Sequence, residues 1–179
     1  HNCLVGSEMC IRDSDYGEPY IGILYAGLMI KDNEPKLIEY NVRFGDPECQ
    51  VIIPRLKNDL VDLLINVKEK NLDNYTLNWK DNFAITIVLA ANGYPESYQT
   101  GDEIEGLDQV ANMDNVEIFH AGTKMIENKV VTSGGRVLNV NGYGEKLVDA
   151  KEKAYDLVKK INWPDYYYRK DIGWRALKD

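Results

Sequence analysis

The sequence predicts an α+β fold: antiparallel strands with helices in the first part, then a small β-rich domain carrying one helix. Three observations lead there. Residues 36–42, KLIEYNV, alternate with period two after a polar turn, as strands with two unlike faces do. Between residues 83 and 144, several short apolar segments are separated by Asn and Gly turns. Residues 145–161, EKLVDAKEKAYDLVKKI, repeat apolar positions at helical spacing.

The elements follow in order. Residues 20–30, YIGILYAGLMI, are rich in Ile, Leu and Tyr with small residues between them. KDNEP, 31–35, supplies turn chemistry. With KLIEYNV these segments predict an antiparallel hairpin in which Leu37, Glu39 and Asn41 share one face and Ile38, Tyr40 and Val42 the other. Arg43 joins the first face if the strand continues. RFGDPE breaks the strand: Gly45 permits unusual backbone angles, Asp46 can cap, and Pro47 suits a first helical turn. Residues 48–70 predict helix, split by Pro54, with Leu56, Leu60, Leu63, Leu64 and Val67 as the apolar stripe of the longer piece.

The polar stretch LDNYTLNWKDN is a candidate domain boundary. Beyond it, FAITIVLAANG (83–93) predicts a strong strand, GYPESYQTGDEIEGL a loop with short extended pieces, and VEIFHAGT, KMIENKVVTSGG and RVLNVNGYG short strands. The helix at 145–161 turns Leu147, Ala150, Ala154, Leu157 and Ile161 inward. No internal repeat or low-complexity run is present.

Composition narrows the function. The chain has 179 residues, 44% of them hydrophobic, and a net charge of −8. That supports a packed core and argues against a general nucleic-acid-binding face, which requires clustered positive charge. Apolar runs of about ten residues fall short of the roughly twenty a membrane span needs, so no membrane partner is expected. Three cysteines without regular spacing form neither a disulfide framework nor a zinc site and fit a reducing cytoplasm. The first residues, HNCLVGSEMCIRDS, carry two of those cysteines and lack the pattern of a signal peptide. They resemble a translated sequencing-adaptor read-through, and residues 1–15 are expected to be a non-native leader.

Most of the chemistry-bearing groups lie in IEYNVRFGDPE, 38–48. A carboxylate and a side-chain amide two residues apart on one strand face, Glu39 and Asn41, offer hard oxygen ligands about 7 Å apart along the strand. Mg²⁺ takes such ligands and fills its shell with waters and substrate phosphates. Arg43, two positions on, can pair with a carboxylate or phosphate. The same alternation is also the ordinary pattern of a solvated strand face. Asp46 and Glu48 can serve as helix cap and first-turn charge, or contact substrate. The stretch TSGGR, 132–136, can present backbone N–H groups and Arg136 to a phosphate, or its glycines can serve a tight hairpin.

The longer string LYAGLMI…KLIEYNVRFGDPECQVIIPRLKNDLVDLL closely resembles the end of the ATP-grasp domain of the phosphoribosylamine–glycine ligases, also called glycinamide ribonucleotide synthetases. AANGYPESYQTGDEIEGL, FHAGTK, VVTSGGRVLNV, AYDLV and RKDIGWRAL resemble that family's C-terminal domain, in the same order. The resemblance covers about residues 16–179.

It implies an ATP-grasp end over 16–72 and a C-terminal β-rich domain of barrel or sandwich type over 73–179. It implies a cytoplasmic ligase of purine biosynthesis that joins glycine to 5-phosphoribosylamine with ATP through a glycyl phosphate. Glu39 and Asn41 fall on the family's metal-binding E-x-N motif, for Mg²⁺ or Mn²⁺. Arg43 takes the place of a residue that orients the carboxylate or acyl phosphate, and Asp46, Glu48 and Arg136 become candidate substrate contacts. The family's N-terminal lobes and nucleotide-covering loop have no counterpart here, so the 179 residues alone are expected to be inactive. Two alternatives are an ATP-grasp ligase with another acceptor and a non-catalytic β-rich binding module. No carrier-lysine turn is present, so covalent biotin or lipoyl attachment is not expected.

Overall fold

A computed structural model describes residues 20–177. The expected leader, 1–15, lies outside the described residues. The chain divides into two compact units. Of the described residues, one comprises those up to Cys49 together with Leu56–Trp79; the other comprises Gln50–Arg55 and those from Lys80 on.

In the first unit, β1 (Tyr25–Lys31) and β2 (Glu34–Asn41) form an antiparallel hairpin. Its two-residue turn, Asp32 and Asn33, has positive φ at both positions, 54° and 63°. That backbone matches the right-handed twist of the strands, and Asp and Asn tolerate it. Gly27 stands opposite Glu39, but Leu28 stands opposite Leu37, so Ile38 is an extra residue in a β-bulge. Strict alternation put Leu37 beside Glu39; the bulge puts it on the other face. A second difference is that β2 stops at Asn41 and the chain bends at Val42 and Arg43, so Arg43 does not continue the strand face.

The predicted helical stretch is broken at Pro54, as expected. α1 (Cys49–Ile52) passes into a 3₁₀ turn at Ile53–Arg55, and α2 (Leu60–Lys68) begins afresh. Asp59 caps α2 by accepting from the Asp62 N–H at 2.9 Å. Leu60, Leu63 and Val67 are the half-buried stripe of α2, whereas Leu64 is exposed. Leu56 falls before α2 and bridges Trp79 instead of joining the stripe. Asn58 ties the returning loop down, donating to the Tyr75 hydroxyl and the Thr76 carbonyl and accepting from Asn78 N–H.

The second unit holds the main core. β3 (Phe83–Ala90), β7 (Arg136–Gly144) and β4 (Val116–His120) make an antiparallel sheet in the order β3-β7-β4. β5 (Thr123–Ile126) and β6 (Lys129–Thr132) form a separate hairpin turned by Glu127 and Asn128, both at positive φ. One face of the larger sheet carries Ile85, Ile87, Leu138 and Val140 against α3 (Leu147–Val158). Ala150, Ala154, Leu157 and Ile161 are fully buried, as the helical spacing predicts, and Leu147 is half-buried. Burying a side chain the size of Leu157 stabilises by about 1.5–3 kcal/mol. Helix and strand approach closely because β7 has glycine beneath α3: a Cβ on Gly142 would stand 2.1 Å from the Ala150 carbonyl oxygen.

The stretch TSGG is not a hairpin. It carries the chain from β6 in one sheet to β7 in another. Its glycines answer crowding rather than unusual φ. Gly134 lies against the Gly122 backbone, and a Cβ on Gly135 would stand 2.1 Å from the Tyr94 ring.

Candidate functional site

The candidate site of the first unit grows from one face of the hairpin. Antiparallel register sets Tyr25 opposite Asn41 and Gly27 opposite Glu39. These four positions alternate onto the same face. Gly27 has no side chain, and the Glu39 side chain runs over it: a Cβ there would lie 3.0 Å from Glu39 Cγ and 3.6 Å from the Tyr25 ring. Glu39 is exposed and Asn41 half-buried.

The loop after β2 returns to the same strand. The Tyr25 hydroxyl donates to Glu48 Oε1 at 3.1 Å. Gly45 makes that approach possible, since a Cβ there would stand 2.8 Å from the Tyr25 ring and 2.5 Å from Glu48 Oε2. The Cys49 N–H donates to the Gly45 carbonyl at 3.0 Å, closing the turn that starts α1. The Asp46–Pro47 peptide bond is cis, and Pro47 precedes α1 rather than opening its first turn.

The expected residues therefore separate into groups. Glu39, Asn41 and Glu48 gather around Tyr25 and Gly27. Arg43 is exposed, and its Nη1 donates to the carbonyl of Phe44 at 2.8 Å. Asp46 is exposed in the turn. Arg136 belongs to the second unit, at the start of β7, where its carbonyl accepts from Gly122 N–H at 2.9 Å.

Tyr25 and Gly27 are residues that sequence reasoning did not single out, and Gly45, read there for its backbone freedom, serves close approach instead: it is not among the positive-φ glycines. A glycine inside an apolar strand pattern signals a close approach, and Gly27 in LYAGLMI was such a signal. Tyr25 carried none, because its tie to Glu48 spans 23 positions.

Chemically, Glu39 and Asn41 are a two-residue oxygen-donor set. Among the described residues, no three His, Cys, Asp or Glu side chains come together to hold a metal ion. A pair of hard oxygens on an exposed strand fits a Mg²⁺-type cation that takes its other ligands from phosphate and water. It does not fit a closed structural zinc centre. No helix among the described residues is long and apolar enough to cross a membrane.

Comparison with known proteins yields two family matches. The C domain of phosphoribosylglycinamide synthetase matches residues 84–175, and the ATP-grasp (A) domain of the same synthetase matches residues 11–49. The chain is 47% identical over 165 residues to the phosphoribosylamine–glycine ligase of Brucella melitensis, covering 92% of this chain and 39% of that protein. It is 49% identical over 164 residues to the ligase of that name from Escherichia coli O157:H7, covering 90% and 38%. A crystal structure of phosphoribosylamine–glycine ligase from Thermotoga maritima superposes with a TM-score of 0.75 at 37% identity, covering 88% of this chain and 38% of that one. The chain thus spans under two fifths of the length of these relatives.

Proposed function

Because the chain belongs to the phosphoribosylglycinamide synthetase family, we propose that it is part of an ATP-dependent carbon–nitrogen ligase. That ligase joins glycine to 5-phosphoribosylamine in purine biosynthesis through a glycyl phosphate, leaving ADP and phosphate. The observation that carries this reading is the placement of Glu39 and Asn41 on one strand face, over a glycine that leaves room for them.

In this reading Glu39 and Asn41 hold a divalent cation, magnesium or manganese, which when bound neutralises charge on the phosphate oxygens of ATP. Glu39 supplies the negative charge of the pair and Asn41 a neutral carbonyl oxygen. Arg43 is the orienting cation. Its guanidinium, exposed on the bend just past the metal strand, presents a planar fork suited to a carboxylate or acyl phosphate. Glu48, held by Tyr25, and Asp46 are proposed contacts for the ribosylamine. Arg136 is proposed as a contact for an anionic group of substrate, with the crowded glycines before it fixing its backbone.

A chimera tests this reading. Residues 20–177 replace the matching part of the Escherichia coli ligase, and ADP formation is followed with and without glycine and phosphoribosylamine. The expected result is ADP formation dependent on both substrates, abolished by Glu39→Ala. A chimera that folds and hydrolyses ATP without requiring either substrate would overturn the proposal.

A further inference from the structure

The face of the larger sheet that points away from α3 carries three polar side chains, half-buried at Thr86 and buried at Asn139 and Asn141. Thr86 on β3 stands directly opposite Asn141 on β7, and Asn139 lies two residues along on the same face. Asn139 is 2% exposed and Asn141 is wholly buried. Each of the three has a buried polar atom without a protein partner: Thr86 Oγ1, Asn139 Nδ2 and Asn141 Oδ1. Such groups are costly when left unpaired.

The orientation of Asn141 is fixed by its neighbours. Its Nδ2 donates to the carbonyl of Gln50, which can only accept, and to the Tyr143 hydroxyl at 3.0 Å. The Tyr143 hydroxyl in turn donates to Glu117 Oε2. Rotating the amide would set its oxygen against the Gln50 carbonyl oxygen. Oδ1 is therefore the atom that faces the unpaired side.

We propose that Thr86, Asn139 and Asn141 form an internal water site, in which at least one ordered water hydrogen-bonds the buried end of the Asn139 amide and donates to Asn141 Oδ1. The donor set selects the occupant. A cation requires acceptors only and an anion donors only, whereas this site offers a fixed amide acceptor at Asn141, an Asn139 amide whose two ends exchange by rotation, and a hydroxyl that can be either. The Glu117 carboxylate, on the neighbouring strand opposite Asn141, further disfavours an anion. Water is the ligand that satisfies both kinds of group at once. The site makes solvent a structural component of this sheet face.

Two measurements on this chain decide it. A high-resolution crystal structure should show water density within hydrogen-bond range, about 2.7–3.2 Å, of the buried end of the Asn139 amide and of Asn141 Oδ1. Thr86→Val keeps the shape and removes only the hydroxyl. If the hydroxyl binds the water, Tm falls by about 2–4 °C; if it is dry and unpaired, Tm rises. Absence of that density, a different occupant, or an unchanged or raised Tm in Thr86→Val overturns the proposal.

Discussion

Glu39 lies directly across the hairpin from Gly27, and its Cγ crowds the position a Cβ on residue 27 would take, 3.0 Å away. The carboxylate proposed to bind metal thus depends on the absence of a side chain on the neighbouring strand. Gly27→Val should displace Glu39 without breaking the ladder. In the chimera this is expected to raise the magnesium concentration for half-maximal activity about tenfold or more, the scale of effect seen when a metal ligand loses its support. Magnesium titration of the rate checks it. An unchanged requirement would mean that Glu39 does not need this position.

Tyr25→Phe removes the hydroxyl that holds Glu48 and leaves the ring against Gly45. The expected loss is about 1 kcal/mol of stability, read by urea unfolding. A larger effect on the KM for phosphoribosylamine than on that for ATP would tie Glu48 to the acceptor rather than to the nucleotide.

Gly142→Ala places a methyl group 2.1 Å from the Ala150 carbonyl oxygen, a backbone atom that cannot rotate away. Helix and sheet must separate locally, at an expected cost of about 3 kcal/mol or more. For a chain of this size that is a Tm roughly 6–12 °C lower, measured by differential scanning calorimetry. Gly101→Ala provides the contrast. Nothing lies within 4 Å of its added Cβ, and only the positive φ of 102° opposes it. The loss there should be about 1–2 kcal/mol.

Stability should decline in alkali through Tyr143. Burial pushes its hydroxyl well above the ordinary tyrosine value of 10.0, and the hydrogen bond to Glu117 adds to the shift while Asn141 opposes it. Above pH 10 the unfolded chain loses this proton and the folded chain keeps it. The contribution is therefore complete below pH 10 and is lost as pH rises toward the folded value, at up to about 1.4 kcal/mol per pH unit. Urea midpoints between pH 9 and 11 should fall for the parent and fall less steeply for Tyr143→Phe. Equal slopes would remove Tyr143 from the account.

Local chemistry made several elements legible in the sequence. Asp32 and Asn33 marked a turn because both tolerate positive φ, Pro54 broke a helix because it lacks an N–H, and α3 announced its buried face through Ala150, Ala154 and Leu157. The pairing of Glu39 with Asn41 was legible because period two holds over three residues whatever happens elsewhere. The position of Leu37 was not, because one bulged residue at Ile38 reverses every side chain beyond it. Arg43 shares that face only if the strand continues, and the strand ends two residues earlier. The tie between Tyr25 and Glu48, and the crossing of TSGG between two sheets, depend on which strands meet. Tertiary packing decides that, not local pattern.

The seating of α3 on Gly142 and on Gly144, where a Cβ would stand 2.8 Å from the Ala150 backbone nitrogen, has a kinetic consequence. Only over those residues can the helix backbone come so near the strand; one turn further along, Val140 and Leu138 would meet it with full side chains. The helix therefore has a single parking place and no low-cost slide along the sheet. Opening of α3 should require the whole contact to come apart at once. Amide hydrogens of Ala154, Leu157 and Val158 should then exchange with solvent at the same slow rate as those of Leu138 and Val140, as members of one cooperative unit.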